Sequence, residues 1–236
     1  MFDVSKIFSF FKKNFNRKDI LLGICLVVFF FLTRIIFLDK LPIFSDEGIY
    51  IHWARVAWHD ASWRFISLTD GRQPLQTWGT IPFLKLFPQN LLFGGRMFSV
   101  ATGFVSLTGL FSLLFYLFDK KTAFWGIFLY IFTPFFLFYD RIALADSAVN
   151  TGFIWILFFS ILVIKTLRLD LALFFGVIAG MAMLTKSSVR MFIILSALAP
   201  VLIWNKKLEK NIINKTINYF ILFILVFAIA IVLYNI

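Results

Sequence analysis

Long, uninterrupted runs of apolar residues constrain the fold of this chain more than any other feature. The first covers Ile20–Leu38 and is broken only by Thr33 and Arg34, near the end where an arginine side chain can reach the membrane interface. A run of about 20 residues is long enough for a helix to cross the bilayer hydrocarbon. Hydrophobic residues fill 61% of the 236 positions, and a soluble fold would leave several wholly apolar helices uncovered. The sequence therefore predicts a membrane protein.

Seven such runs predict an all-α, polytopic membrane protein with about seven transmembrane helices. They are Ile20–Leu38, Leu91–Phe118, Ala123–Tyr139, Ala148–Ile164, Leu171–Leu184, Val189–Trp204 and Ile217–Ile236. Residues 1–19 would form a basic cytoplasmic N-terminus, and residues 20–236 one membrane domain. The first run is too long for a cleaved signal and no small-x-small site follows it, so we expect a retained anchor.

The distribution of positive charge predicts the orientation of these helices. With a cytoplasmic N-terminus, the inner segments 1–19, 119–121, 165–170 and 205–215 carry thirteen of the 23 Lys and Arg residues. This agrees with the positive-inside rule and accounts for most of the net charge of +11. It leaves no contiguous basic face of the kind that binds nucleic acid. We therefore expect membrane lipids with anionic head groups, and no nucleic acid, as partners of the inner clusters.

The longest polar interval, residues 39–90, follows the first span and faces outside in this orientation. It is too long for a simple connector. Near its start, Ser-Asp-Glu-Gly-Ile-Tyr at 45–50 places two adjacent carboxylates where the protein meets water. Apolar residues from Ile49 onward recur at helical spacing, and Pro74–Phe87 reads as a second helix with Pro74 at its first position. Both segments are predicted to lie in the head-group interface.

Two smaller polar segments are predicted to face the same side as the carboxylates of the outer loop. One contains Arg141 and Asp146, and the other contains Lys186. Ionisable groups at membrane depth cost about 2.5–3.5 kcal/mol each on insertion scales, so several at one surface indicate a shared purpose. Together with Asp46 they predict a polar site at the outer membrane face.

Five short motifs occur in a fixed order relative to the predicted spans. Asp-Glu-Gly-x-Tyr at 46–50 follows the first span, and Arg-Gln-Pro-Leu at 72–75 comes next. Gly-Arg-Met-Phe-Ser at 95–99 opens the second span, and Arg-Ile-Ala-Leu-Ala-Asp at 141–146 follows the third. Gly-x-x-x-Gly-x-x-x-Leu-Thr-Lys at 176–186 closes the fifth. In this order the motifs resemble those of the integral-membrane GT-C glycosyltransferases, specifically the protein O-mannosyltransferases and lipid A aminoarabinose transferases, although the usual Lys/His-Pro-Pro-Leu of that family is Arg-Gln-Pro-Leu here.

The resemblance implies transfer of a sugar from a polyprenyl-phosphate donor to an acceptor hydroxyl, with inversion at the anomeric carbon. Asp46 would be the base that takes the hydroxyl proton. Glu47 would orient a partner or raise the pKa of Asp46. In some relatives the acid corresponding to Asp46 holds a divalent cation, so a metal ion at Asp46 is also expected. No Asp-x-Asp motif or glycine-rich phosphate loop is present, in agreement with a lipid-linked donor.

The same resemblance assigns cations to the phosphate of the donor. Arg141 and Lys186 are the first candidates to stabilise the leaving phosphate, and Arg72 and Arg96 are the second. Asp146 would hold Arg141 in place or line the sugar pocket.

Relatives in this family continue beyond the matching region, so we expect a C-terminal half or a partner subunit. The resemblance also implies a multi-pass protein of a prokaryotic cell membrane, with a cytoplasmic N-terminus and an extracytoplasmic site. The acceptor stays open between a protein, a lipid and a glycan, and therefore between protein glycosylation and lipopolysaccharide modification.

Each assignment has a structural alternative. Asp46 and Glu47 can be a pair of acids at a helix N-terminus, and Arg141 can anchor a helix end in the head groups. His52 is a candidate for an orienting residue, but with His59 it can also be interfacial, because two imidazoles without a third ligand are weak signs of a metal.

For the whole chain, a non-catalytic scaffold and a transporter of amphipathic lipids are the alternatives to an enzyme. A transporter should carry polar or broken segments at mid-membrane, whereas the charges here lie at the outer rim. Gly176 and Gly180 form a small-xxx-small pattern that predicts close helix packing.

Overall fold

The computed structural model describes residues 14–202 and 212–235, and this part of the chain is helical without strands. The helices are α1 (Arg17–Ile35), α2 (Ser45–His59), α3 (Leu75–Leu86), α4 (Leu91–Leu117), α5 (Lys120–Phe132), α6 (Pro134–Tyr139), α7 (Asp146–Thr166), α8 (Leu169–Met183), α9 (Val189–Ser196), α10 (Ala199–Leu202) and α11 (Ile212–Tyr234). Short 3₁₀ turns lie at Leu38–Lys40, Ala61–Trp63 and Ile66–Asp70.

Four stretches of the described chain are long and apolar enough to cross a membrane. They are Arg17–Lys40, Leu91–Leu117, Asp146–Thr166 and Ile213–Tyr234. These stretches correspond to the first, second, fourth and seventh predicted spans. The prediction of an all-α polytopic membrane protein is confirmed.

The other three predicted spans are shorter or interrupted. The third is divided into α5 and α6, because Thr133 is extended and Pro134 starts a new helix. The fifth is α8, which has 15 residues. The sixth consists of α9 and α10, with eight and four residues. Residues 203 and 204 of the sixth span, and residues 1–13 of the predicted cytoplasmic segment, lie outside the described residues.

The outer loop contains the two helices that the sequence predicted, now α2 and α3. Pro74 lies one position earlier than predicted, at the N-cap of α3 and not at its first helical residue. The N–H of Leu75 donates to the carbonyl of Leu184 at 2.9 Å, which fixes the start of α3 against the end of α8. α3 ends at Leu86, before Pro88, as expected for a residue that cannot continue a helix.

Two large apolar clusters, and a small one of Tyr50, Trp53, Ile142 and Leu144, form the core of the described chain. One joins α1, α4 and α5, with Phe30, Val100 and Ile131 among its buried residues. The other joins α7, α8, α9 and α11. The predicted close packing of the α8 glycines is confirmed, because a Cβ at Gly176 would lie 2.8 Å from Ile229, and one at Gly180 would lie 2.8 Å from Leu233.

Candidate active site

The polar residues that the sequence singled out gather at one end of the helix bundle. At this end α1 and α8 finish, and α2, α4 and α7 begin. The hydrogen bond between Leu75 and Leu184 and the one from Gln73 to Tyr234 join the outer loop to α8 and α11 there. The opposite end holds a different ion pair, between Lys120 and Asp19 at 2.7 Å.

Asp46 lies in the first turn of α2 and pairs with Arg72. Its Oδ2 accepts a hydrogen bond from Arg72 Nη1 at 3.1 Å, while Arg72 Nε donates to Asp70 Oδ2 at 3.0 Å. The guanidinium also lies over the rings of Tyr50 and Trp53. The side chain of Asp46 is 37% exposed and that of Arg72 is 27% exposed, so a substrate can reach the pair.

The surroundings of Arg72 favour its charged form. Partial burial lowers the pKa of Arg72, but its hydrogen bonds to Asp46 and Tyr50 raise it by more, so the net pKa lies above the usual value. The site therefore presents a fixed positive charge beside the Asp46 carboxylate.

Glu47, the neighbour of Asp46, has a different environment. It is fully buried and holds Arg96 through two bonds of 2.8 Å, from Nε to Oε1 and from Nη2 to Oε2. Arg96 also donates to the carbonyls of Leu38, Leu41 and Pro42. All five N–H groups of this guanidinium are therefore used.

The Glu47–Arg96 pair is a structural element of this end of the bundle. Glu47 also accepts hydrogen bonds from the N–H of Ala143 at 2.7 Å and of Phe44 at 2.9 Å. Burial raises the pKa of Glu47, but the bonds from Arg96 and these two N–H groups lower it by more, so the carboxyl is ionised. Arg96 therefore has no donor left for a phosphate, which revises its assignment. Of the two roles expected for Glu47, its contacts agree with orienting a partner, which is Arg96.

Lys186 pairs with Asp146, which lies in the first turn of α7. The Nζ of Lys186 is 3.1 Å from Oδ1 of Asp146, and both side chains are at least one-third exposed. Lys186 follows Leu184 by two residues and therefore lies beside the start of α3, next to the Arg72 segment. The sequence suggested that Asp146 holds Arg141, but the structure shows no such contact, because Arg141 is directed toward the end of α1.

Arg141 lies at the same end of the bundle but outside this cluster. Its Nη2 donates to the carbonyls of Ile36 at 2.8 Å and Phe37 at 3.3 Å. Its Nε is buried and has no hydrogen-bond partner among the described residues. The structure thus brings Asp46 and Arg72 together, places Lys186 with Asp146 beside them, and separates Arg141 from both pairs.

His52 and a metal ion fit this arrangement poorly. His52 is exposed on α2, and none of the hydrogen bonds within the described residues connects it to Asp46 or Asp146. Within residues 14–202 and 212–235, no group of three His, Cys, Asp or Glu residues could hold a metal ion. Asp46 and Asp70 converge on the guanidinium of Arg72, so their surroundings suit this cation better than a divalent metal.

Sequence reasoning missed a second buried ion pair, between Arg34 and Asp140. Arg34 was expected to reach the interface, but it is fully buried and donates to Asp140 from Nε and Nη2. Asp140 also accepts from the hydroxyls of Tyr130 at 3.2 Å and Ser147 at 2.9 Å. A Cβ at position 103 would lie 2.5 Å from the Asp140 carboxyl carbon, so only Gly103 leaves room for it.

The position of Arg34 within an apolar span was the sequence feature that could have predicted this ion pair. Because an arginine within an apolar span costs free energy, it requires a buried carboxylate, and Asp140 was the acid at the outer end of a neighbouring span. With Glu47 bound to the N–H of Ala143, this pair holds the segment 140–145 from two sides.

By its fold and its site, the chain is a polytopic membrane protein with acidic and cationic side chains collected at one end. The family model described as dolichyl-phosphate-mannose-protein mannosyltransferase matches residues 72–234, which is more than half of the chain. The chain therefore belongs to this family of GT-C-type, mannosyltransferase-like glycosyltransferases. The matched region begins at Arg72, so it includes Lys186 and excludes Asp46. No curated protein and no solved structure matches the chain.

Proposed function

We propose that this protein transfers a sugar, with inversion, from a polyprenyl-phosphate donor to an acceptor hydroxyl at the outer membrane face. The observation that carries the proposal is the Asp46–Arg72 pair. It presents a partly exposed carboxylate and a guanidinium 3.1 Å apart at the end of a membrane bundle. Membership of a family named for a dolichyl-phosphate-mannose donor supports the same chemistry. The acceptor is a hydroxyl of a protein, a lipid or a glycan.

Asp46 is the proposed base. Its Oδ2 is occupied by Arg72, and Oδ1 has no hydrogen bond among the described residues, so Oδ1 can take a proton. The acceptor oxygen attacks the anomeric carbon from the face opposite the phosphate, and its proton passes to Asp46. The bond between the anomeric carbon and the phosphate oxygen breaks, and polyprenyl phosphate leaves. Attack from the opposite face inverts the anomeric configuration.

Arg72 and Lys186 are the cations proposed for the leaving phosphate. Arg72 has hydrogen bonds to Asp70, Asp46 and Tyr50, so two of its five N–H donors are available. Lys186 has Asp146 as its partner and keeps two N–H donors. Positive charge held near the phosphate stabilises the negative charge that develops as the bond breaks.

An apolar groove offers a place for the polyprenyl chain beside these cations. It has a volume of about 390 Å³ and lies between α4, α7 and α8. Its walls include Trp155, Val177 and Met181, and it reaches Leu75 and Thr185. Thr185 precedes Lys186 in sequence, so a chain in this groove would bring its phosphate toward Lys186.

The test compares Asp46→Asn with Asp70→Asn. Both acids accept a hydrogen bond from Arg72, but only Asp46 is proposed to take a proton. We expect Asp46→Asn to slow transfer about 100- to 10,000-fold, whereas Asp70→Asn should stay within a few-fold of the original protein. The measurement is release of dolichyl phosphate from dolichyl phosphate mannose, in native membranes that contain the acceptor.

Membrane insertion and folding are compared by detergent extraction and by size-exclusion profile. Unaltered release in Asp46→Asn would remove Asp46 from the mechanism. Equal losses in the two variants would show that these acids only position Arg72. Release that is undetectable in the original protein as well would favour a non-catalytic scaffold.

A further inference from the structure

A second groove opens on the lipid-facing side of α1, beside α6. Its volume is about 600 Å³, and its walls include the apolar side chains of Phe29, Leu32 and Leu137. Lys40 and Arg141 line it as well, from the turn after α1 and the segment after α6. The groove thus has an apolar body and a cationic end, within the size range of lipid and ligand sites.

The two cations of this groove have no carboxylate partner within the part of the chain that the structure describes. None of the ion pairs within the described residues includes Lys40 or Arg141. The Arg141 guanidinium is fixed from Nη2 by the carbonyls of Ile36 and Phe37. Its Nη1 makes no hydrogen bond among the described residues and, unlike Nε, is not buried, so Nη1 can donate to an oxygen atom of a ligand.

The groove is separated from Asp46 by a buried layer. Leu41 lines the groove, and its carbonyl accepts a hydrogen bond from Arg96 Nη1 at 3.1 Å. Arg96 in turn is fully buried against Glu47. A molecule in this groove would therefore have the Leu38–Pro42 segment and the Glu47–Arg96 pair between itself and the Asp46 carboxylate.

We propose that this groove binds an anionic phospholipid of the bilayer, at a site separate from that of the sugar donor. One acyl chain lies against Phe29, Leu32 and Leu137, continuous with the lipid around α1. The phosphate accepts hydrogen bonds from Arg141 Nη1 and from the ammonium group of Lys40. The charge complementarity of two unpaired cations at the end of an apolar groove favours this occupant over a neutral lipid.

Bound lipid would add a connection between two segments that Arg141 already joins through its hydrogen bonds to the carbonyls of Ile36 and Phe37. Lys40 belongs to the turn after α1, and Arg141 belongs to the segment that Asp140 and Ala143 hold in place. A phosphate shared by both cations therefore stabilises the outer end of the bundle. We expect anionic phospholipid to raise the thermal stability of the protein.

The experiment places the full chain in phosphatidylcholine nanodiscs and titrates it with phosphatidylglycerol. Thermal unfolding and lipids retained in native mass spectrometry are measured. Phosphatidylglycerol should stabilise the original protein and stay bound preferentially. Lys40→Gln and Arg141→Gln should each weaken binding about fivefold. Arg64→Gln is the matched control, because Arg64 is an exposed cation of the same outer loop that lies outside the groove.

Lys40→Gln keeps the test decisive if Arg141→Gln fails to fold, because Lys40 makes no side-chain hydrogen bond among the described residues. The proposal is overturned if the original protein shows no preference for phosphatidylglycerol, or if Arg64→Gln weakens binding as much as Lys40→Gln. It is also overturned if Lys40→Gln lowers the binding of dolichyl phosphate, which would make the groove part of the donor site. Asp46→Asn should retain phosphatidylglycerol binding, so this result is independent of the proposed transfer reaction.

Discussion

At the scale of single residues, Asp46 and Glu47 show how adjacent acids acquire different tasks. Neighbouring positions on a helix point about 100° apart, so one carboxylate can be buried while the next meets solvent. Glu47 is fully buried against Arg96, and Asp46 is 37% exposed against Arg72. Removing one partner of a buried pair leaves an uncompensated charge, whereas an exposed pair contributes little.

We expect Glu47→Gln to lower the free energy of unfolding by about 3–5 kcal/mol, because Arg96 would stay buried without a counter-charge. Asp46→Asn should cost less than about 1 kcal/mol. Thermal unfolding of both variants in the same detergent measures the difference. Similar stabilities for the two would contradict the structural role of Glu47.

The sequence could predict that these acids lie near Arg141 and Lys186 at one face, but it could not predict the pairings. Glu47 meets partners 49 and 96 residues away in the chain, at Arg96 and Ala143. Such contacts depend on how helices pack, and no local pattern encodes them. For the same reason Arg34 was wrongly expected at the membrane interface. The free-energy cost of an arginine within an apolar run did indicate that Arg34 needs a buried carboxylate partner.

At the scale of elements, the packing of α8 against α11 depends on two glycines. Gly180 allows Leu233 to approach, and Gly176 allows Ile229 to approach. This contact was predictable because a small residue every fourth position marks one helix face. The break at Pro134 was less visible in the sequence, because apolar residues continue on both sides of it and hydropathy alone reads one span.

Gly180→Ala should destabilise the protein by about 1–3 kcal/mol, because the new methyl group would overlap Leu233. Its Cβ would lie 2.8 Å from the Leu233 Cβ. Gly23→Ala in α1 is the matched control, because its Cβ would make an ordinary contact of 3.7 Å with Phe124. That control should be neutral or stabilising by about 0.5–1 kcal/mol, as alanine favours a helix. Thermal unfolding measures the stability of the two variants. An equal loss of stability in both would contradict the close packing of α8 against α11.

At the scale of the whole molecule, composition and apolar run length were enough to predict the class of fold. The asymmetry of Lys and Arg predicted which end of the bundle faces outside. The lengths of the individual spans were less predictable, because a tertiary contact, the hydrogen bond from the N–H of Leu75 to the carbonyl of Leu184, lies at the end of α8. The orientation itself is a proposal that labelling can test.

Single cysteines report the side of the membrane on which each end lies. In a Cys25→Ala background, Ser62→Cys should react with a membrane-impermeant maleimide added to intact cells. Lys121→Cys should react only after the membrane is opened. Both positions are exposed, so accessibility within the fold is matched. The reverse pattern would place Asp46 and Lys186 on the cytoplasmic side and remove the outer-face reaction.

Tyr234 gives the last described helix a direct connection to the first outer loop. Its hydroxyl accepts hydrogen bonds from Gln73 Nε2, at 3.2 Å across 161 residues of sequence, and from Arg190. Gln73 is the residue next to Arg72. A change in the tilt of α11 would therefore reach the guanidinium beside Asp46 through one covalent neighbour. The thickness of the bilayer, or a protein bound to this helix, would then change the geometry of the Asp46–Arg72 pair without entering the site.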